Sequence, residues 1–140
     1  MARARYLVDT SVFSRLTKPT VAAVFAPLAA QGLVTISAPV AFELGFSARN
    51  AADHAALMGH LASFPSVPTT QADHERAVHL QAELASRGQH RALSLVDALV
   101  AAVAEARGLV VLHYDSDFDL VGTVTGQPHQ WVVPRGTADG

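Results

Sequence analysis

Ser94-Leu95-Val96-Asp97-Ala98-Leu99-Val100-Ala101-Ala102-Val103-Ala104-Glu105-Ala106-Arg107-Gly108-Leu109-Val110-Val111-Leu112 is the stretch that decides the fold. Serine is a good helix N-cap, the residues through Ala106 favour helix, and Gly108 is a natural stop. The apolar run Leu109–Leu112 that follows reads as a buried strand. A helix this apolar belongs in the middle of a molecule. Its direct delivery into an apolar strand is the unit from which parallel sheets are built.

The same alternation continues outward. Tyr6-Leu7-Val8 is a brief buried strand, ended by three capping types, Asp9-Thr10-Ser11. A short helix is expected through Leu16, broken at Lys18-Pro19, and Pro19 then opens a second helix toward Gln31 and Gly32. Leu33–Ile36 reads as a second strand, Pro39 opens a helix through Phe42, Glu43 and Phe46, and another helix fits Ala51–Ser63. Phe64-Pro65-Ser66-Val67-Pro68 is a connection, Gln71–Arg87 a helix, Gly88-Gln89-His90 a loop and Gln130–Val133 a last strand. Strands separated by helices predict an α/β fold, a three-layer α/β/α sandwich around a central, mostly parallel sheet. One domain over residues 1–134 is expected, with 135–140 a flexible tail.

Composition narrows the function classes. With 140 residues, 50% of them apolar, no cysteine and a formal charge of −2, the chain is neither disordered, nor a disulfide scaffold, nor a thiolate metal site. No global basic field advertises nucleic-acid binding. Met1–Arg5 is basic, but the apolar run Tyr6–Val8 behind it is too short for a signal peptide. Leu95–Ala104 carries Asp97 and abuts Glu105, well short of the roughly 20 apolar residues of a membrane span. A soluble, cytoplasmic protein without membrane contact is expected.

The informative residues are acids. Asp9 follows the first strand, where it serves as a helix cap or as a ligand. Glu43 has Pro39, Val40, Phe46 and Ser47 as helical neighbours and no base among them, so it is either exposed beside a narrow apolar stripe or paired at long range. Asp97 stands three residues after Ser94, a capping-box spacing, yet on the helix that should be most buried; the two roles are compatible. Asp115, Asp117 and Asp119 lie within Tyr114-Asp115-Ser116-Asp117-Phe118-Asp119, an acidic turn lacking the Gly and Glu offsets of an EF-hand loop. Parallel sheets place ligand sites beyond the carboxyl ends of their strands, where these acids fall. Several carboxylates on one rim repel one another unless a cation neutralises them. All-oxygen donors suit Mg²⁺ or Mn²⁺, and such a centre supports metal-assisted phosphoryl chemistry.

In order and spacing, Leu7-Val8-Asp9-Thr10-Ser11, Phe42-Glu43-Leu44, Asp97-Ala98-Leu99-Val100-Ala101-Ala102 and Asp115-Ser116-Asp117-Phe118 resemble the acidic signature of PIN-domain ribonucleases, specifically VapC-type toxins of bacterial toxin–antitoxin pairs. The resemblance covers nearly the whole chain. It implies a Mg²⁺- or Mn²⁺-dependent endoribonuclease leaving 3′-hydroxyl and 5′-phosphate ends, usually dimeric, and silenced by an antitoxin that wraps the toxin and blocks its acidic site. Carried over by position, Asp9 and Asp97 would be the principal metal ligands. Glu43 and Asp115 would complete the quartet, partly through water or as a base, and Asp117 would match a further acidic position. Asp119 has no clear counterpart. Thr10 and Ser11 hydroxyls would support Asp9 or metal-held water.

Competing signals are weaker. His74 and His79 are five apart, not the four of a zincin helix, and no G-x-S-x-G elbow, P-loop or G-x-G-x-x-G occurs. Arg91 and Arg87, just before the Asp97 helix, are candidate phosphate contacts, as are Arg15, Lys18 and Arg49 further away. The phenylalanines and Trp131 read as core. Val21, Val24, Phe25, Leu57 and Leu61 are core by default, and the resemblance would give part of that surface to antitoxin or dimer contact. The competing classes are a non-catalytic acidic module that binds a basic partner, and a DNA- or structure-specific nuclease on the same fold.

Overall fold

A computed structural model describes residues 3–140; Met1 and Ala2, the start of the basic stretch considered above, lie outside the described residues. Five strands are present among them: β1 (Tyr6–Val8), β2 (Val34–Ser37), β3 (Ser66–Val67), β4 (Val110–His113) and β5 (His129–Trp131). The helices are α1 (Thr10–Phe13), α2 (Pro19–Ala30), α3 (Ala38–Phe46), α4 (Ala51–Leu61), α5 (Gln71–Ala85), α6 (Leu95–Arg107) and α7 (Asp117–Thr125). The strands form one sheet in the order β3-β2-β1-β4-β5, every pair parallel.

Alternation along β1 divides the core in two, because successive strand side chains point to opposite faces. Leu7 packs with Val40, Leu61, Leu80, Val100 and Phe118, from α3, α4, α5, α6 and α7. Tyr6 and Val8 pack on the other face with Val12 and Phe25, from α1 and α2, and with Val132, Val133 and Ala138. This is the expected three-layer sandwich, and α6 is the buried helix it predicts. Ser94 Oγ accepts the Asp97 N–H at 3.1 Å, and Gly108 ends α6 at φ 65°, a left-handed conformation that glycine adopts without strain. Among the described residues no helix is long and apolar enough to cross a membrane.

Three expectations need correction, and one further segment makes contacts that the sequence does not announce. The Phe64–Pro68 connection contains β3, an edge strand of two residues, too short to leave a pattern in sequence. The acidic turn after β4 runs straight into α7, although Gly122, Thr123, Val124 and Thr125 are poor helix formers; burial of Phe118 and Val121 outweighs that propensity. Residues 135–140, expected as a flexible tail, make specific contacts. Ala138 is buried, and the Tyr114 hydroxyl donates to Asp139 Oδ1 at 2.7 Å and accepts the N–H groups of Gly136 and Ala138. Finally, two phenylalanines are outside the core: Phe42 is 79% and Phe46 87% exposed, one turn apart on α3. Val21, Phe25 and Leu61, expected as core, are buried in it.

Candidate active site

The sheet reverses its winding at β1, which has β2 on one side and β4 on the other. In open α/β sheets the crevice beyond the strand ends at such a switch point is the usual ligand site. Asp9 follows β1, Asp115 follows β4, and the first turn of α6 brings Asp97 to the same place. One carboxylate oxygen from each of the three lies within 4.8 Å of the others.

Asp9 is 2% exposed. Its Oδ2 accepts the Ser11 N–H at 3.1 Å and the Ser11 hydroxyl at 2.6 Å, so it does cap α1. Its Oδ1 is buried and has no hydrogen-bond partner, nor has the neighbouring Thr10 Oγ1. Burial holds the Asp9 carboxyl above its ordinary range, with Asp115 and Glu43 adding to the rise against the Ser11 hydrogen bonds. Asp97 is 8% exposed and pushed up to about 8, first by burial, then by Asp9, Asp115 and Asp117. Asp115 Oδ1 accepts the Asp117 N–H at 2.9 Å. Asp117, at the start of α7, lies outside the trio but within hydrogen-bonding reach of Asp97, and burial with Asp115 raises it too. Glu43 is half-buried on α3, close enough to act on Asp9, and forms no ion pair or side-chain hydrogen bond among the described residues.

A comparison within the chain shows how unusual this is. Asp73 occupies on α5 the place that Asp97 occupies on α6. Its Oδ2 accepts the Thr70 N–H at 2.8 Å and the Arg107 guanidinium at 3.2 Å. Burial opposes ionisation of Asp73, but the Thr70 donors and Arg107 outweigh it and leave its carboxyl below the ordinary range. Ser94 caps α6 through its hydroxyl, but no reciprocal bond from Ser94 N–H to the Asp97 carboxylate closes the box. One acid is satisfied by the protein and the other is not. Buried acids without a base, with orphaned Asp9 Oδ1 and Thr10 Oγ1 beside them, are what a divalent cation with oxygen ligands requires.

The other candidates divide. Arg87 and Arg91 are exposed and make no side-chain hydrogen bond or ion pair among the described residues. Arg15 and Lys18 are committed to carbonyls of Ala138 and Asp139, and Arg49 to Asp53. Asp119 belongs to a separate cluster: it accepts the Trp131 Nε1–H at 3.0 Å and lies 3.7 Å from His129 Nδ1. His113 was not singled out by its sequence context. Fully buried, it accepts the Asp115 N–H at Nδ1, and this assigns its proton to Nε2, which meets His129 Nδ1 at 2.9 Å. Burial, then His129, lowers it to about 4 and keeps it neutral.

A PIN-domain family model matches residues 6–124. Over 135 residues the chain is 47% identical to Ribonuclease VapC51 of Mycobacterium tuberculosis, covering 96% of this chain and 98% of that protein. The chain belongs to the VapC-type PIN-domain family. It is also 36% identical over 134 residues to Ribonuclease VapC18 of the same organism, covering 94% of this chain and 98% of that one. A DNA-bound VapBC crystal structure from Salmonella typhimurium shares the fold at 20% identity, with a TM-score of 0.76 over 94% of this chain and 100% of that chain. Divalent metals are typical of PIN-domain nucleases, and this VapC-type chain carries a donor set that fits one.

Proposed function

We propose that this protein is a Mg²⁺-dependent endoribonuclease, with Mn²⁺ able to substitute, and the toxin of a toxin–antitoxin pair in the cytoplasm. The observation that carries the reading is the convergence of Asp9, Asp97 and Asp115, with a buried Asp9 oxygen left unpartnered. The relatives named ribonucleases give the substrate class.

Asp9, Asp97 and Asp115 would hold the cation, and Asp117, within reach of Asp97, would add negative charge. When bound, the cation activates water and neutralises charge on the scissile phosphate. Ser11 fixes the Asp9 carboxylate through Oδ2, and Thr10 Oγ1 is free to hold water. Glu43, close enough to act on Asp9, would accept the proton of the attacking water. Arg87 and Arg91, without a side-chain partner among the described residues, are available to the RNA backbone. The cognate antitoxin is a basic segment that competes with the cation for the acids, and exposed Phe42 and Phe46 flank Glu43 as its apolar footing. The chain works as a homodimer or a toxin–antitoxin hetero-oligomer.

The test is cleavage of structured RNA beside a DNA of matched sequence. Wild-type protein should cut the RNA in Mg²⁺, stop in EDTA and leave 5′-phosphate ends. Asp9→Asn and Asp97→Asn should fold and not cut. RNA cleavage that survives either substitution removes the acids from the chemistry, and preference for DNA moves the substrate class.

A further inference from the structure

The acid site is tied to residues 135–140, which lie outside the region matched by the family model. The link runs through Tyr114, directly after β4 and buried. Its hydroxyl donates to Asp139 Oδ1 at 2.7 Å and accepts from Gly136 N–H at 2.8 Å and Ala138 N–H at 2.9 Å. One proton and two lone pairs are all a phenol has, and all are spent on this segment. Arg15 lies over the Tyr114 ring, 4.7 Å from its centre, and donates to the carbonyls of Ala138 at 3.3 Å and Ser11 at 2.9 Å. Lys18 Nζ adds a bond to the Asp139 carbonyl at 3.2 Å.

Inward, the same two residues grip Ser11. The Tyr114 N–H donates to Ser11 Oγ at 2.8 Å while Arg15 holds the Ser11 carbonyl. With one lone pair so engaged, Ser11 Oγ turns its proton to Asp9 Oδ2 at 2.6 Å, and the Ser11 N–H meets the same oxygen at 3.1 Å. Both donors fall on Oδ2, and Oδ1 is the oxygen left without a partner. Apolar cover of that sheet face comes from Val132, Val133 and Ala138 among other side chains. It does not call for a polar hub whose two anchors both end on the serine that orients Asp9.

We propose that residues 135–140 are a strap that positions the acid site, holding Ser11 through Tyr114 and Arg15 and thereby fixing the Asp9 carboxylate for its cation. Tyr114 and Arg15 are positioning residues. The inference rests on the metal reading above and extends it to a part of the chain that carries no acid ligand.

Tyr114→Phe removes the three hydroxyl bonds and keeps the ring, the Arg15 contact and the backbone bond to Ser11. Truncation after Pro134 removes the strap itself, and Val133→Ala loosens the same sheet face without touching the polar link. Two readouts are taken without RNA: Mn²⁺ affinity by electron paramagnetic resonance titration, and the Ser11 amide resonance in metal-free protein. Tyr114→Phe should bind Mn²⁺ about tenfold more weakly, the low end of what partners behind metal ligands contribute, and should shift the Ser11 amide. Val133→Ala should lower the melting temperature and change neither readout. Unchanged Mn²⁺ affinity and an unmoved Ser11 amide in Tyr114→Phe would overturn the strap, even if the truncated chain fails to fold. Wild-type protein that binds no Mn²⁺, while the Ser11 amide still moves in Tyr114→Phe, would instead overturn the metal reading and leave the link from strap to Ser11 intact.

Discussion

Asp97→Asn should make the metal-free protein more stable while ending its catalysis. The Asp97 carboxyl titrates at 3.8 when unperturbed and at about 8 in the fold, chiefly through burial and then through Asp9, Asp115 and Asp117. A carboxyl whose folded pKa lies above its unfolded one is bound to its proton more tightly in the fold. The contribution of Asp97 to stability is therefore greatest below pH 3.8 and drains away as the pH climbs toward 8. At 1.36 kcal/mol per unit, the loss by pH 7 is at most about 4 kcal/mol. Effective dielectric constants of about 20 hold even for buried protein sites, which brings the loss closer to about 2 kcal/mol. Asparagine also forfeits the attraction of a carboxylate for the first turn of α6, about 0.5 kcal/mol, too little to reverse the sign. The net gain of about 1–2 kcal/mol corresponds to about 3–6 °C in melting temperature for a chain of this size.

Thermal unfolding in EDTA from pH 5 to 8 checks this. The wild-type melting temperature should fall toward pH 8, that of Asp97→Asn should fall less, and the two should approach each other toward pH 5. Added Mg²⁺ should raise the wild type more than the variant, because only the intact trio binds it well. A variant less stable than wild type at every pH in EDTA, or a gap that does not narrow toward pH 5, would refute the argument that Asp97 is held against its own charge.

Asp73→Ala should do the opposite. It removes a completed capping box and the partner of Arg107, costs about 2 kcal/mol measured by urea unfolding at pH 7, and leaves RNA cleavage at wild-type rate. Gly122→Ala tests the packing of α7 on β5: its Cβ would stand 2.8 Å from His129 Nε2, and the displacement should cost about 1–3 kcal/mol by the same measurement.

The contrast between Asp73 and Asp97 also marks how far the sequence could be read. Thr70-x-x-Asp73 and Ser94-x-x-Asp97 are the same local pattern, and nothing within either helix separates the structural acid from the unsatisfied one. The difference is Arg107, 34 positions from Asp73 in sequence and bonded to it in space, with no equivalent base at Asp97 among the described residues. The three-layer architecture was legible because apolar runs and caps are local signals. So was the placement of Asp9, Asp97 and Asp115, because strand ends and first helical turns can be read from the chain. Glu43 and Asp117 were found by the same route, yet their distance from the trio depends on how α3 and α7 pack. α7 itself was hidden behind residues that favour strand or turn, and β3 behind its length. The strap was hidden by its composition: Gly136 and Gly140 with polar neighbours read as loose chain, and the groups that tie it down are Tyr114, Arg15 and Lys18, far off in sequence. Net charge misled in a similar way. A value of −2 argues against a phosphate-bearing partner only if charge is spread evenly. Here several of the acids gather at one rim that a cation would neutralise, and Arg87 and Arg91 are exposed.

The most direct test of the central claim is anomalous diffraction from a crystal soaked in Mn²⁺. An anomalous peak is expected within coordination distance of carboxylate oxygens from Asp9, Asp97 and Asp115, about 2.2 Å for a hard divalent ion with oxygen ligands. The peak should vanish in Asp97→Asn crystals soaked alike. A peak on His113, Asp119 and His129 instead, or none at the trio in well-ordered crystals, would contradict it.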